Sequence, residues 1–205
     1  ALLMGAWFPG YAFAQVPAAA LIMRIGAKKV IGLNVGEPDG LPCPEAMAAA
    51  HAALNDGKVK YTECNGMRAL RDEICAYLQR EKGLSYQPSQ IVCANGGKQA
   101  LLQAMLALLN PGDEVIVPAP YWVSYTAIAQ LCGAKSVTIA TRESDSYCLM
   151  PQDLEAAITP ATRVLIMCNP SNPTGAVHPA ALLEKIAAVL RKWPRITIIA
   201  DEIYE

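Results

Sequence analysis

The sequence RITIIADEIY, which runs from Arg195 to Tyr204, is the starting point for predicting the fold. It contains five consecutive apolar or β-branched residues, Ile196 to Ala200. A run this short is typical of a strand buried on both faces of a parallel sheet. Asp201 stands where that strand would emerge, and open α/β sheets bind their ligands at the carboxyl ends of strands. Asp201 is therefore a candidate ligand-binding carboxylate, although the same residue type also caps helices that follow strands.

Upstream of this strand, short apolar runs alternate with helical patterns. Strands are predicted at 30–35, 91–94, 114–117, 135–140 and 164–168, and helices at 18–29, 44–54, 67–82, 98–109, 121–131, 151–158 and 179–193. Alternating strands and helices are typical of parallel sheets, because each helix crosses back over the sheet. The predicted fold class is α/β, a mostly parallel sheet with helices on both faces.

Composition excludes several classes of function. Of 205 residues, 53% are apolar and 17% are charged, with a net charge of −1, which indicates a globular protein with a sizeable core. No cluster of Lys and Arg favours nucleic acid or an anionic membrane. The seven cysteines never form a C-x-x-C pair and only two histidines are present, so no metal site is predicted. Free buried thiols in a reducing compartment are expected.

The first 23 residues allow two interpretations. Leu2 to Phe13 is apolar, and Ala12-Phe13-Ala14 resembles a signal-peptide cleavage site. No basic residues precede it, however, and Pro9 interrupts the run, which is also too short to span a membrane. An apolar N-terminal arm that packs on another surface is the preferred interpretation. Because the chain begins with Ala and stops directly after a motif, it is expected to be a fragment.

Three predicted strand-to-helix loops carry unusual residues. In Asn95-Gly-Gly-Lys98, two glycines allow close approach of a ligand, and the first amides of the following helix attract an anion such as phosphate. Neither the P-loop nor the dinucleotide glycine pattern is present, and a plain tight turn is the alternative. The second loop, Pro118-Ala-Pro-Tyr-Trp122, offers aromatics that would stack on a planar ring or pack in the core.

The third loop is Asn169-Pro-Ser-Asn-Pro-Thr-Gly175, in which prolines hold two amide side chains in place. A plain turn does not require this rigidity. The four features together are a phosphate cradle, a flat aromatic, an orienting Asn and a carboxylate at one sheet edge. They suit a planar, phosphorylated, nitrogen-containing ring, and pyridoxal phosphate fits better than a dinucleotide.

Seven motifs in this order resemble the class I/II aminotransferases, pyridoxal-phosphate-dependent enzymes of fold type I. They are Gly36-Glu-Pro-Asp, Tyr61-Thr, Asn95-Gly-Gly-Lys-Gln, Pro111-Gly-Asp-Glu-Val, Pro120-Tyr-Trp-Val-Ser-Tyr, Asn169-Pro-Ser-Asn-Pro-Thr-Gly and Asp201-Glu-Ile-Tyr-Glu. The resemblance runs from about Val30 to Glu205. It is nearest to bacterial-type aspartate aminotransferases and their prephenate aminotransferase relatives.

The resemblance implies contacts to the cofactor ring. Asp201 would pair with the pyridine nitrogen and keep it protonated. Tyr204 and Asn172 would hydrogen-bond the phenolic oxygen of the ring, and Trp122 would stack on it. Trp122 and Asn172 would also contact the substrate.

It further implies contacts to the phosphate and the substrate. The amides of Gly97 and Lys98 would bind the phosphate, and Tyr61 would reach the phosphate of the neighbouring subunit's cofactor. The backbone of Gly36 would contact the substrate's carboxylate end. For Lys98 and Tyr61, ordinary surface or interface packing is the alternative.

The implied organisation is an unmatched N-terminal arm (1–23), part of a small domain (24–56) and an incomplete large, cofactor-binding domain (57–205). The family's Schiff-base lysine and the arginine for the substrate α-carboxylate would lie beyond the last residue. This chain is therefore expected to contain no catalytic residue and to be inactive alone.

The full-length protein is expected to be a cytoplasmic homodimer, or a plastid one in a photosynthetic eukaryote. It would transfer an amino group from an amino acid, aspartate or glutamate, to a 2-oxo acid. Three alternatives stay open: another pyridoxal-phosphate chemistry such as a β-lyase or synthase, a non-catalytic dimerising fragment, and an α/β binding protein without this cofactor.

Overall fold

The computed structural model describes residues 40–204. These residues belong to two compact units, of which the first ends at Cys93 and the second begins at Ala94. The predicted arm (1–23), the helix at 18–29, the strand at 30–35 and Gly36 lie outside the described residues. The domain limits predicted after residues 23 and 56 stay predictions.

The described part of the first unit, residues 40–93, contains two helices, α1 (Pro44–Asn55) and α2 (Arg68–Lys82), and a short 3-10 helix at Pro88–Gln90. Pro44 begins α1 because its fixed φ suits a first helical turn. Gly83 ends α2 as predicted: at φ 66° it adopts the left-handed conformation, and the Leu84 amide then donates to the Leu78 carbonyl at 3.1 Å.

The second unit contains the sheet. Its elements, in chain order, are α3 (Gly97–Leu108), β1 (Glu114–Ala119), α4 (Ser124–Leu131), β2 (Lys135–Ala140), a 3-10 turn at Glu143–Asp145, α5 (Pro151–Ala157), β3 (Thr162–Cys168), α6 (Ala180–Leu190) and β4 (Thr197–Asp201). The strands lie in the order β2-β1-β3-β4 and all pairs are parallel. The predicted α/β class with a parallel sheet is confirmed.

Helices cover both faces of this sheet, as predicted. Successive strand residues point to opposite faces, so each central strand contributes to two cores. One core joins Val115, Val117, Val164 and Ile166 to side chains of α3 and α4, including Met105 and Tyr125. The other joins Ile116, Leu165 and Met167 to side chains of α5 and α6, including Leu154 and Ile186.

Three local predictions are wrong. Ile91–Ala94 forms no strand in the described chain, and Cys93 instead donates its amide to the Asn65 carbonyl of a loop. The helix predicted from Tyr121 begins at Ser124. The strand after Arg195 forms, but within residues 40–204 it is not buried on both faces: β4 is the outermost strand of the described sheet, and Ile198 is 49% exposed.

The cysteines are all free, as predicted, but only Cys132 and Cys148 are buried. The others occupy loops, helix surfaces or the end of a strand, where neighbouring packing is incomplete. None of the helices within residues 40–204 is long and apolar enough to cross a membrane.

Candidate functional site

The amino-terminal end of α3 presents two unpaired backbone amides. Gly96, at φ 85°, precedes the helix, and its carbonyl accepts the amides of Gln99 and Ala100. The amides of Gly97 and Lys98 have no hydrogen-bond partner within residues 40–204. A side chain added at Gly97 would enter open space, so internal packing does not require this glycine. The helix end is therefore arranged to accept an anion.

Trp122 lies in the loop between β1 and α4. Its ring contacts a residue in the first turn of α3 and a residue in α4. The ammonium group of Lys98 lies 5.2 Å from the centre of its indole, in a cation–π contact. On α4, one helical turn further, the Tyr125 ring meets the same indole edge-to-face at 5.5 Å and 88°. The indole is only partly buried, so part of its surface is available to a ligand.

Asp201 is the last residue of β4 and pairs in register with Cys168, the last residue of β3. Its Oδ2 accepts the Tyr125 hydroxyl at 2.6 Å, and its Oδ1 has a longer contact, 3.4 Å, from the Ile203 amide. The second contact is a local turn of the kind that strand-end aspartates form. The first spans 76 residues and fixes the carboxylate beside Trp122.

The two asparagines of the loop after β3 have different hydrogen-bond partners. The side-chain oxygen of Asn169 accepts the His178 amide at 2.8 Å, which ties the loop to its own far end. The amide group of Asn172 donates to the Tyr204 hydroxyl at 2.9 Å. Asn169 is therefore structural here, whereas Asn172 faces the residues that follow β4.

His178 fixes the loop on its other side. Its Nε2 accepts the Leu149 amide at 2.9 Å, so the neutral ring carries its proton on Nδ1, which lies 3.4 Å from the Asn169 oxygen. Burial lowers the pKa of His178 below its ordinary value, which keeps the ring neutral. The histidine is therefore a buried support for the loop.

A cleft opens at this rim of the sheet, between the ends of β1 and β3. Its lining includes Tyr121, Tyr125, Cys168, Ser171, Asn172 and His178. Ligand sites in parallel sheets occupy this position, because the carboxyl ends of all strands meet there.

The structure places six of the sequence-predicted residues in the second unit, where their contacts form two groups. Contacts connect Lys98, Trp122 and, through Tyr125, Asp201, and a separate hydrogen bond joins Asn172 to Tyr204; Gly97 begins the same helix as Lys98. Tyr61 belongs to the first unit, where its side chain is fully exposed.

Tyr125 was not predicted from the sequence. The sequence did contain a pattern that could have indicated it. In the predicted helix 121–131, Tyr125 follows Trp122 by three residues, and residues three apart share a helix face. An aromatic at such spacing is more often a core residue, and Tyr125 is indeed buried. Only the hydroxyl contact to Asp201 distinguishes it from ordinary core packing.

Comparison with protein families identifies the chain. The family model described as aminotransferase class I and II matches residues 28–205. The chain belongs to this aminotransferase family. The family predicted from the motifs is therefore confirmed. Class I and II aminotransferases depend on pyridoxal phosphate.

Named relatives agree with this assignment. The chain is 44% identical to a bifunctional aspartate aminotransferase and glutamate/aspartate-prephenate aminotransferase of Petunia hybrida, over 96% of the chain and 41% of that protein. It is 46% identical to an aspartate/prephenate aminotransferase of Cereibacter sphaeroides, over 89% of the chain and 46% of that protein. The aminotransferase chain therefore spans less than half the length of these relatives.

A solved structure extends the similarity to the fold. The crystal structure of the aspartate aminotransferase from Rhizobium meliloti matches 94% of the chain and 48% of its own length, with 41% identity and a TM-score of 0.89.

The chemical groups of the aminotransferase site, both backbone and side chain, match those that a pyridoxal phosphate requires. Two unpaired amides at a helix end suit a phosphate, and an incompletely covered indole suits a flat ring. A carboxylate with one oxygen engaged retains a second acceptor for a protonated ring nitrogen.

Proposed function

We propose that the protein, at the full length its gene encodes, transfers an amino group from an amino acid, aspartate or glutamate, to a 2-oxo acid with pyridoxal phosphate. The observation that carries this proposal is the position of Asp201 at the end of β4, held by Tyr125, which also packs on Trp122. The names of the Petunia and Cereibacter relatives support the acidic donor.

The second unit supplies the cofactor contacts in this proposal. Asp201 would accept a hydrogen bond from the protonated ring nitrogen of pyridoxal phosphate and keep that nitrogen protonated. The bound cofactor would supply an electron sink for the substrate α-carbon. The Tyr204 hydroxyl accepts from Asn172, so its own proton is available to donate to the phenolic oxygen of the ring. Trp122 offers its uncovered indole surface to the ring, and with Asn172 it contacts the substrate.

The phosphate contacts come from the amides of Gly97 and Lys98, and the long Lys98 side chain adds a positive charge near them. The exposure of Tyr61 suits a residue that reaches the cofactor of a second subunit, so a homodimer is part of the proposal. Gly36 completes it as a backbone contact to the substrate. The free cysteines favour a reducing compartment, the cytoplasm or a plastid.

Residues 1–205 alone are proposed to be inactive, because no lysine among them lies in the family's Schiff-base context. The test compares the full-length protein with the 1–205 chain, each with pyridoxal phosphate, aspartate and 2-oxoglutarate. We expect turnover only in the full-length protein. Turnover by residues 1–205, or a lysine of that chain trapped covalently on the cofactor by borohydride, would contradict the proposed inactivity.

The role of the second unit is tested by Asp201→Asn in the full-length protein. The amide cannot balance a protonated ring nitrogen, so we expect a loss of turnover of at least about 10²-fold. Asp56→Asn is the matched control, since this carboxylate is exposed beside Lys58 in the first unit. A full-length protein that binds the cofactor but releases elimination products instead would indicate a lyase.

A further inference from the structure

Tyr125 carries a buried hydroxyl group that is not among the proposed cofactor contacts. Its side chain is 2% exposed and lies in the core between α4 and the sheet. A buried tyrosine needs a partner for its hydroxyl, and the partner here is Oδ2 of Asp201 at 2.6 Å. The bond joins α4 to the last residue of β4, 76 residues further along the chain.

The same side chain restrains Trp122. The two rings meet edge-to-face, and a perpendicular aromatic contact of this kind fixes the orientation of both rings. One rigid residue therefore sets the position of the indole and of the carboxylate relative to each other. These are the two groups that the proposed function places around the same cofactor ring.

The hydroxyl of Tyr125 is a permanent hydrogen-bond donor to Asp201. Burial, and next the hydrogen bond to Asp201, raise the pKa of Tyr125, so it keeps its proton and always donates. The donor occupies Oδ2 of Asp201, and within residues 40–204 Oδ1 has only the 3.4 Å contact from the Ile203 amide. The other titratable group beside this pair is Cys168, the strand partner of Asp201.

We propose that Tyr125 is a positioning residue, which holds the Asp201 carboxylate oriented toward a ring nitrogen and fixes the orientation of Trp122. The inference rests on the proposed function, because it assigns Tyr125 a task only if Asp201 meets a pyridine ring. Tyr125 acts here through Asp201 and Trp122.

The test measures dissociation constants of the full-length protein for two ligands. Pyridoxamine phosphate contains the ring nitrogen but no aldehyde that would react with a lysine. Its 1-deaza analogue has carbon at that position and retains the phosphate and the flat ring. Both are measured in the unaltered protein, in Tyr125→Phe, and in Tyr86→Phe, which removes a hydroxyl from an exposed tyrosine of the first unit.

Tyr125→Phe keeps the ring and removes only the donor. We expect it to weaken pyridoxamine phosphate about tenfold, as for a lost hydrogen bond to a charged group, and the deaza analogue by less than about twofold. Tyr86→Phe should change neither. Equal weakening of both ligands by Tyr125→Phe would show a structural role alone, and unchanged affinities would show no role; either result overturns the inference.

The unaltered protein separates this inference from the proposed function. If it bound pyridoxamine phosphate no better than the deaza analogue, Asp201 would not meet the ring nitrogen, and the proposed function would fail first. If it distinguishes the two ligands and Tyr125→Phe distinguishes them equally well, only the role of Tyr125 is refuted. Thermal unfolding of each variant verifies that the fold is retained.

Discussion

The side-chain amide of Asn172 donates a hydrogen bond to the hydroxyl of Tyr204 at 2.9 Å, across 32 residues of sequence. This bond links the loop after β3 to the residues after β4. Both side chains are accessible to solvent, so the bond adds little to stability and is available to a ligand at the rim.

Tyr204→Phe should lower activity without lowering stability. The variant removes a proton that the proposal assigns to the phenolic oxygen of the cofactor, and we expect kcat/KM of the full-length protein to fall about threefold to tenfold. The free energy of unfolding should change by less than about 0.5 kcal/mol, because Tyr204 is exposed. Urea titration and steady-state kinetics measure the two quantities, and a variant of normal kcat/KM would remove Tyr204 from the site.

The two glycines before α3 should respond differently to alanine. Gly96 has φ 85° and ψ 162°, a conformation essentially restricted to glycine, so Gly96→Ala should cost about 1–3 kcal/mol of unfolding free energy. Gly97 begins the helix and faces open space, so Gly97→Ala should leave stability unchanged within about 0.5 kcal/mol and weaken cofactor affinity.

Denaturant unfolding and cofactor titration of the two variants test this contrast. Unchanged stability in Gly96→Ala would show that the backbone around Gly96 adapts to a side chain. Unchanged cofactor affinity in Gly97→Ala would argue against a ligand at this helix end.

His178 should make stability depend on pH. Because the pKa of His178 is lowered in the folded protein, the unfolded chain binds the proton more readily. Stability from this group is therefore complete above the unfolded pKa, about 6.5, and decreases as pH falls below it toward the folded value. On protonation, Nε2 gains a proton that faces the Leu149 amide and loses its hydrogen bond.

Thermal unfolding between pH 5 and 8 measures this effect, with His178→Gln and the exposed His51→Gln as the compared variants. We expect His178→Gln to flatten the curve below about pH 6.5, and His51→Gln to leave it unchanged. A slope that persists in His178→Gln would assign the pH dependence to another group.

Leu165 should be essential to folding of the second unit. It is fully buried in the middle of β3, where it joins the sheet to α5 and α6. Leu165→Ala leaves a cavity and should cost about 2–5 kcal/mol of unfolding free energy. Leu131→Ala, at a position 75% exposed, should cost less than about 0.5 kcal/mol, and a similar loss in both variants would contradict the assigned core.

The regular part of the fold could be predicted from the sequence, because its signals are local. Lys135–Ala140 is a strand with the predicted limits, and α2 ends at the predicted Gly83. The prediction of secondary structure was wrong where the outcome depends on pairing with a segment distant in sequence. Ile91–Ala94 has a strand-like composition, but a strand requires a hydrogen-bonded neighbour, and within residues 40–204 this segment has none.

The site was predictable to the level of loops but not of contacts. Glycines and prolines mark the loops after the strands, and a parallel sheet places those loops on one rim. The separate tasks of Asn169 and Asn172 depend on which partner each amide meets, and sequence spacing does not contain that information. The roles of Tyr125 and His178 depend in the same way on distant residues, Asp201 and Leu149.

Because all four strands run in one direction, the chain enters every strand at the rim opposite to the cleft. The exposed Pro194 lies in the turn that enters β4, at the end of the strand remote from Asp201. A peptide tag inserted there would anchor the protein to a sensor chip by the far side of the sheet. The tag and the chip would then not cover the cleft, and cofactor and substrate could reach it from solution.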